Sequence, residues 1–252
     1  MKLTIYTALF ADELLPLEEV GKFYPFKHDK GDVRYIAYTN REDLTSDYWE
    51  VRKINIKESL SPRMMSREIK WNPTMYLEDF THSLWLDSQC YFTYEPTAIV
   101  NHYLQNNYHT AIHHHTDLQS IYFEGMVSSY VYNTDSPTII NRQLERYFKE
   151  GHPYNYDHYE TGVLIRENCD ASNKLSKNIY NELTNYSIRD QICTPYCVRN
   201  AREAGDDKIL TIKESFTAHK GNLPLPKSQI FFTTPKPSEK LKENLNERNP
   251  TK

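Results

Sequence analysis

Asp87 ends a short apolar run, Ser83-Leu84-Trp85-Leu86, whose bulky residues read as a buried strand. In an open α/β sheet ligands meet the carboxyl ends of the strands, so a carboxylate there is placed to hold a metal ion or a substrate. A simple turn at Asp87-Ser88 is the competing reading. Upstream, Ser61-Pro62 starts a helix along which Arg63, Arg67 and Lys70 share one face. Such a stripe is usually just solvated. This one, however, runs directly into the strand carrying Asp87, and cations converging with a carboxylate are what a metal-bound diphosphate requires.

Other chemistry-bearing residues lie further along. His113, His114 and His115 are adjacent, but neighbours on a strand point to opposite faces, so at most His113 and His115 could share an ion, and structural or substrate-contacting roles are the first expectation. Glu160-Thr161-Gly162 precedes an apolar strand, with a carboxylate able to accept sugar hydroxyls and a glycine that lets backbone approach a ligand. Asp190 either caps the next helix or faces a reacting group. The His219-Lys220-Gly221 segment could offer an imidazole to a metal and a backbone approach to a phosphate.

These residues need a scaffold, and the chain is long enough to supply one. At 252 residues, 38% hydrophobic and 13% aromatic, it can bury a large core as one domain. A net charge of -4 with mixed signs offers no basic field for nucleic acid. No run approaches the roughly 18 to 20 apolar residues of a membrane span, and Met1-Lys2-Leu3 leads straight into strand-like sequence without a signal peptide. The four cysteines, Cys90, Cys169, Cys193 and Cys197, fit neither a zinc ribbon nor a disulfide scaffold, so a reducing, cytoplasmic setting is expected. Strands are expected at 3–10, 34–38, 49–54, 83–86, 110–115, 163–166 and 208–212. Helices are expected from Pro62, at 96–107, 118–132, 137–149 and 171–186, and from Asp190. Residues 233–252 lack apolar periodicity and read as a flexible tail, leaving 1–232 as the domain.

The succession Tyr35-Ile36-Ala37-Tyr38-Thr39-Asn40, Trp49-Glu50-Val51, Ser83 to Ser88, Glu150-Gly151-His152, Tyr159 to Arg166 and Arg189-Asp190-Gln191 resembles the plant mucilage-related (rhamnogalacturonan galacturonosyltransferase-like) glycosyltransferase domain family, which has bacterial and viral members. The resemblance runs in order over most of residues 1 to 200. It implies an α/β, GT-A-type single domain, a Rossmann-like mixed central sheet flanked by helices, that moves a sugar from a nucleotide-sugar donor to a glycan acceptor. Plant relatives use a UDP-sugar and make α-linked products, implying retention.

Carried over by position, Asp87 with Ser88 beside it would lead the nucleotide-sugar motif and hold Mn²⁺ or Mg²⁺. Gln89 stands where a second aspartate is common, which weakens the ligand set. His219 would be the distal metal ligand, with Lys220 next to it at the donor. Arg63, Arg67 and Lys70 would grip the phosphates, Thr7, Ala8, Phe10, Thr39 and Asn40 would flank the nucleoside, and Glu160 and Asp190 would hold donor or acceptor hydroxyls as the catalytic candidates. Gln89 also keeps alive a non-catalytic nucleotide-sugar- or glycan-binding protein. A metal hydrolase using His113 and His115 is a third possibility, and it would require tightly bound zinc.

Overall fold

The computed structural model describes residues 1–10, 33–87, 90, 95–115 and 120–213. The runs rich in β-branched and aromatic residues form seven strands: β1 (Leu3–Leu9), β2 (Val33–Thr39), β3 (Glu50–Lys53), β4 (His82–Leu86), β5 (Thr110–His114), β6 (Tyr159–Glu167) and β7 (Ile209–Ile212). They make one sheet in the order β3-β2-β1-β4-β6-β5-β7. Six strands point the same way, and β6 runs antiparallel to both of its neighbours. The mixed α/β sheet flanked by helices is therefore present.

Seven helices accompany the strands among the described residues: α1 (Pro62–Trp71), α2 (Pro73–Tyr76), α3 (Pro96–Tyr103), α4 (Ile121–Tyr130), α5 (Pro137–Lys149), α6 (Asp170–Asn185) and α7 (Asp190–Glu203). Helix α1 starts as its sequence requires, with the Ser61 hydroxyl accepting from Met64 N–H at 3.1 Å and proline in the first turn. The helix expected over 96–107 stops at Tyr103. A short 3₁₀ turn follows, in which Asn106 adopts a positive φ of 63° that breaks the α-helical hydrogen-bond pattern.

Alternation along the strands divides the core. Tyr6, Ile36, Trp85, Ile112 and Leu164 face α1, α5, α6 and α7, whereas Leu3, Ile5, Leu84, Leu86, Val163 and Ile165 face the side covered by α3. Because both faces are covered, β1 is buried along its whole length, which is why it reads as a nearly continuous apolar run. Trp85 and Asp87 are two residues apart and so share a face. The last carboxylate of β4 therefore points toward α1 and α7.

The sequence does not mark one irregularity beside this edge. The β5–β6 register shifts between Ile112, opposite Leu164, and His113, opposite Glu160, so Thr161, Gly162 and Val163 bulge without partners on β5. The His113 ring lies against Tyr103 of α3, whereas the His115 ring stacks on His158, so the two have different neighbours. The boundary at 232 and the tail 233–252 lie outside the described residues.

Candidate functional site at the carboxyl edge of the sheet

Strand β1 is followed in space by β2 on one side and β4 on the other, so the direction of winding reverses at β1/β4. The crevice outside the carboxyl ends of these strands is where open α/β sheets bind ligands. Asp87 stands there, with its backbone N–H donating to the Gly162 carbonyl at 2.7 Å. Its Oδ1 accepts from Trp85 Nε1 at 2.6 Å, so a core tryptophan orients the carboxylate. The Asp87 side chain keeps 27% of its exposure, which leaves it open to the crevice.

The basic face of α1 is not a solvated stripe. Lys70 is fully buried, with Nζ 2.6 Å from Asp190 Oδ2 and 3.8 Å from Asp87 Oδ1, and it lies over the rings of Trp71 and Trp85. Burial pushes its pKa down, and the Asp190 and Asp87 charges oppose that shift. Arg67 Nη2 lies 3.4 Å from Asp190 Oδ1. Arg63 makes no ion pair among the described residues. Burial lowers its pKa, and repulsion from Arg67 and Arg189 adds to the shift despite the opposing charges of Asp190 and Asp87. The result is a cluster of two aspartates and four cations in which Arg63 forms no ion pair among the described residues.

Asp190 occupies the first turn of α7 but makes no side-chain cap bond. It is buried, and although burial alone would raise its pKa, Arg67 and Lys70 hold it well below the usual carboxylate range. Oδ2 takes Lys70 and the Trp71 indole at 3.4 Å, while Oδ1 has no hydrogen-bond partner among the described residues. Asp190 is thus an ionised acceptor held against α1, and the cap alternative is set aside.

The other expected residues divide cleanly. Thr7, Ala8 and Phe10 are buried at the end of β1, and the Thr7 hydroxyl has no hydrogen-bond partner among the described residues. Thr39 is committed internally, donating to the Leu9 carbonyl at 2.7 Å and accepting from Arg41 N–H at 3.0 Å, while Asn40 is exposed at the end of β2. Glu160 is buried on β6 beside the bulge. Its charge and that of Asp87 both act on Cys90, whose thiol burial pushes well above its ordinary pKa. Ser88, Gln89, His219 and Lys220 lie outside the described residues.

Two residues that position the site went unnoticed in the sequence. Arg166, buried on β6, donates to the Lys70 carbonyl at 2.9 Å and to Ser176 Oγ at 3.2 Å, and it hydrogen-bonds the Tyr6 hydroxyl, which itself reaches the Lys70 carbonyl at 2.8 Å. A cation at the last turn of α1 matches the negative end of the helix and fixes Lys70 in place. Glu68 accepts from Lys57, Tyr76 and, at 2.7 Å, Tyr180, which ties α1 to α6. The signal for Arg166 was a charge directly after the apolar run Val163-Leu164-Ile165.

His152, in the Glu150-Gly151-His152 piece, is buried among Tyr147, Tyr156 and Tyr196, after a glycine at φ +75° that ends α5. Burial, helped by Arg199, lowers its pKa to about 4. Its unfolded value is near 6.5, so the unfolded chain binds the proton first as pH falls. Native stability should therefore drop by about 3 kcal/mol between pH 6.5 and 4 from this residue alone. Urea unfolding of wild type and His152→Asn across that range checks it, the variant lacking this component.

Sheet and site together define an open α/β domain with a charged ligand crevice at its switch point. Residues 71–216, more than half of the chain, match the family described as TOD1/MUCI70, glycosyltransferase-like domain, and the chain belongs to that family. No curated protein matches. Similar solved structures include the bifunctional glycosyltransferase WbbM in its apo form, with a TM-score of 0.47, 11% identity and coverage of 83% of this chain but only 38% of WbbM. Another is a glycosyltransferase involved in glycosylation of the major capsid of PBCV-1, with a TM-score of 0.42, 12% identity and coverage of 86% and 83%. A third is the galactosyltransferase LgtC in complex with donor and acceptor sugar analogs, with a TM-score of 0.44, 12% identity and coverage of 83% and 72%. Among the described residues no helix is long and apolar enough to cross a membrane.

Proposed function

We propose that this domain is a GT-A-type glycosyltransferase that takes a nucleotide-sugar donor, a UDP-sugar first, and a glycan or glycoconjugate acceptor. The observation that carries the reading, beyond family membership, is the meeting of Asp87 at the switch point with the basic face of α1, where Arg63 forms no ion pair among the described residues and feels the like charges of Arg67 and Arg189 against those of Asp190 and Asp87. An anionic diphosphate relieves that repulsion. Lys70 is too buried to grip phosphate itself; it holds Asp87 and Asp190 in place, and Arg63 and Arg67 are left to meet the donor.

Asp87 fits a hard divalent cation, being partly exposed, indole-oriented and an oxygen donor. Gln89 and His219 are the further ligands we assign. Mn²⁺ or Mg²⁺ bound there supplies positive charge to the leaving diphosphate. In the reaction the bond from donor C1 to the diphosphate oxygen breaks, the acceptor hydroxyl oxygen bonds to C1 and passes its proton to the departing diphosphate, and the nucleoside diphosphate leaves. Glu160 beside the bulge and Asp190, whose Oδ1 makes no hydrogen bond among the described residues, are the acceptors assigned to sugar hydroxyls, and retention is the stereochemistry we assign. Four cysteines that form no disulfide suit cytoplasmic work.

A thermal-shift screen of UDP-, GDP-, CMP- and dTDP-sugars, each with and without Mn²⁺, tests the proposal. A donor at a hundredfold excess over Kd should stabilise the native state by about 2.7 kcal/mol. A metal-dependent shift with one nucleotide, with slow release of free nucleotide, supports a transferase. A shift without any release indicates a binding protein, and no shift at all overturns the nucleotide-sugar reading.

A further inference from the structure

We propose that His115, Glu124 and His158 form a second cation site, for a zinc-class ion, on the β5/β6 side of the same sheet edge. It does not rest on the donor reading: none of the three ligands is assigned to the donor, although the two clusters meet at Arg189, whose Nε donates to Glu124 Oε1 at 2.6 Å. The donor atoms of the three ligands lie within 4.8 Å of one another. His115 follows β5, His158 precedes β6, and Glu124 is in the first turn of α4. The His115 N–H donates to the His158 carbonyl at 2.8 Å, and the two rings stack with centroids 5.1 Å apart.

The polar atoms at the centre of this group point to an ion. His158 and Glu124 are both fully buried. Neither ring nitrogen of His158 nor Glu124 Oε2 has a hydrogen-bond partner among the described residues. Leaving such groups buried and unsatisfied costs about 1–3 kcal/mol each. His158 Nε2 and Glu124 Oε2 are 3.6 Å apart, too far for a hydrogen bond. Two donors on one tetrahedral zinc, each at about 2.0–2.2 Å, are separated by roughly 3.4 Å. The spacing therefore suits a shared ion.

Glu124 is prepared for the role. Its other oxygen accepts from Arg189 Nε at 2.6 Å and Ser128 Oγ at 2.9 Å, an outer layer of the kind that orients ligating carboxylates. Two imidazoles and one carboxylate make the donor set of a zinc site with one open position. A cleft of about 480 Å³ is lined by His114, Phe123 and Asp157, the residues next to each of the three ligands, together with Ser120 and Tyr154. The site is separate from Asp87. Asp87 adjoins Gly162 and His115 adjoins His158, up to roughly 13 Å apart along β6 at the usual strand rise.

The test is titration of the metal-free full chain with Zn²⁺ by calorimetry, and with Co²⁺ by visible absorption. Wild type should bind one Zn²⁺ at the histidine site and show the d–d bands of tetrahedral cobalt. His115→Ala, at a partly exposed position that the fold tolerates, should weaken zinc binding at least tenfold and bleach the cobalt bands, as should His158→Gln. Both histidine variants should keep the Mn²⁺-dependent thermal shift with the donor, and this separates failure here from failure of the donor reading. The proposal is overturned if wild type binds no zinc, as a plain His158–Glu124 ion pair would require, or if folded His115→Ala and His158→Gln bind it as wild type does.

Discussion

Asp87→Asn should lower donor turnover by about a hundredfold or more while the chain stays folded. The substitution is isosteric, so the amide oxygen can still accept from Trp85 Nε1, and the strand-end geometry survives. The charge that faces Lys70 at 3.8 Å, and that would hold a cation at the leaving diphosphate, is lost. Charge stabilisation of a leaving group is worth several kcal/mol, and each 1.36 kcal/mol is tenfold in rate. Nucleotide release from the donor identified by thermal shift, measured with and without Mn²⁺, gives the result directly. Full turnover in a folded variant would sink the assignment of Asp87.

Asp190→Asn is the substitution expected to harm stability most. It keeps the shape of the side chain and removes the charge that compensates fully buried Lys70 and contacts Arg67. Breaking a buried pair by neutralising one partner costs about 3–5 kcal/mol, and the low end applies here because Asp87 remains 3.8 Å from Lys70. That is a large part of the roughly 5–15 kcal/mol that holds a domain together. Lys70→Met combined with Asp190→Asn should recover part of the loss, since the uncompensated buried cation disappears with it. Urea unfolding of both single variants and the double variant measures the coupling.

The same pair sets an acid limit. The Asp190 pKa is depressed in the folded chain, so its contribution is fully present above the ordinary aspartate value of about 3.9 and is lost as pH falls below it. The double variant should lack this part of the acid sensitivity. Equal acid profiles in the double variant and wild type would contradict the assignment of that stability to the pair.

Much of the fold was legible because local chemistry controlled it. Apolar strands marked both-face burial, Ser61-Pro62 marked the start of α1, Gly151 marked the end of α5, and a carboxylate at the stop of a tryptophan-bearing strand marked the crevice. The basic face of α1 was visible as a pattern, but whether water or a carboxylate met it was not. Lys70 and Asp190 are 120 residues apart, and no periodicity within either helix links them. The expectation about the histidines was incomplete for the same reason. Spacing along β5 suggested His113 with His115, whereas the partners that converge on His115 come from α4 and from the residue before β6.

The sequence by itself therefore determined most element types, the start of α1, the end of α5, the family and the carboxylate at the edge, since each depends on neighbours within a few residues or on an ordered set of motifs. The tertiary structure alone decided the antiparallel insertion of β6, the bulge around Gly162, the burial of Lys70 and Arg166, and the grouping of His115, Glu124 and His158. Strand order and register come from packing both sheet faces at once. A buried charge acquires its meaning only when that packing brings a distant partner to it in a region water no longer reaches.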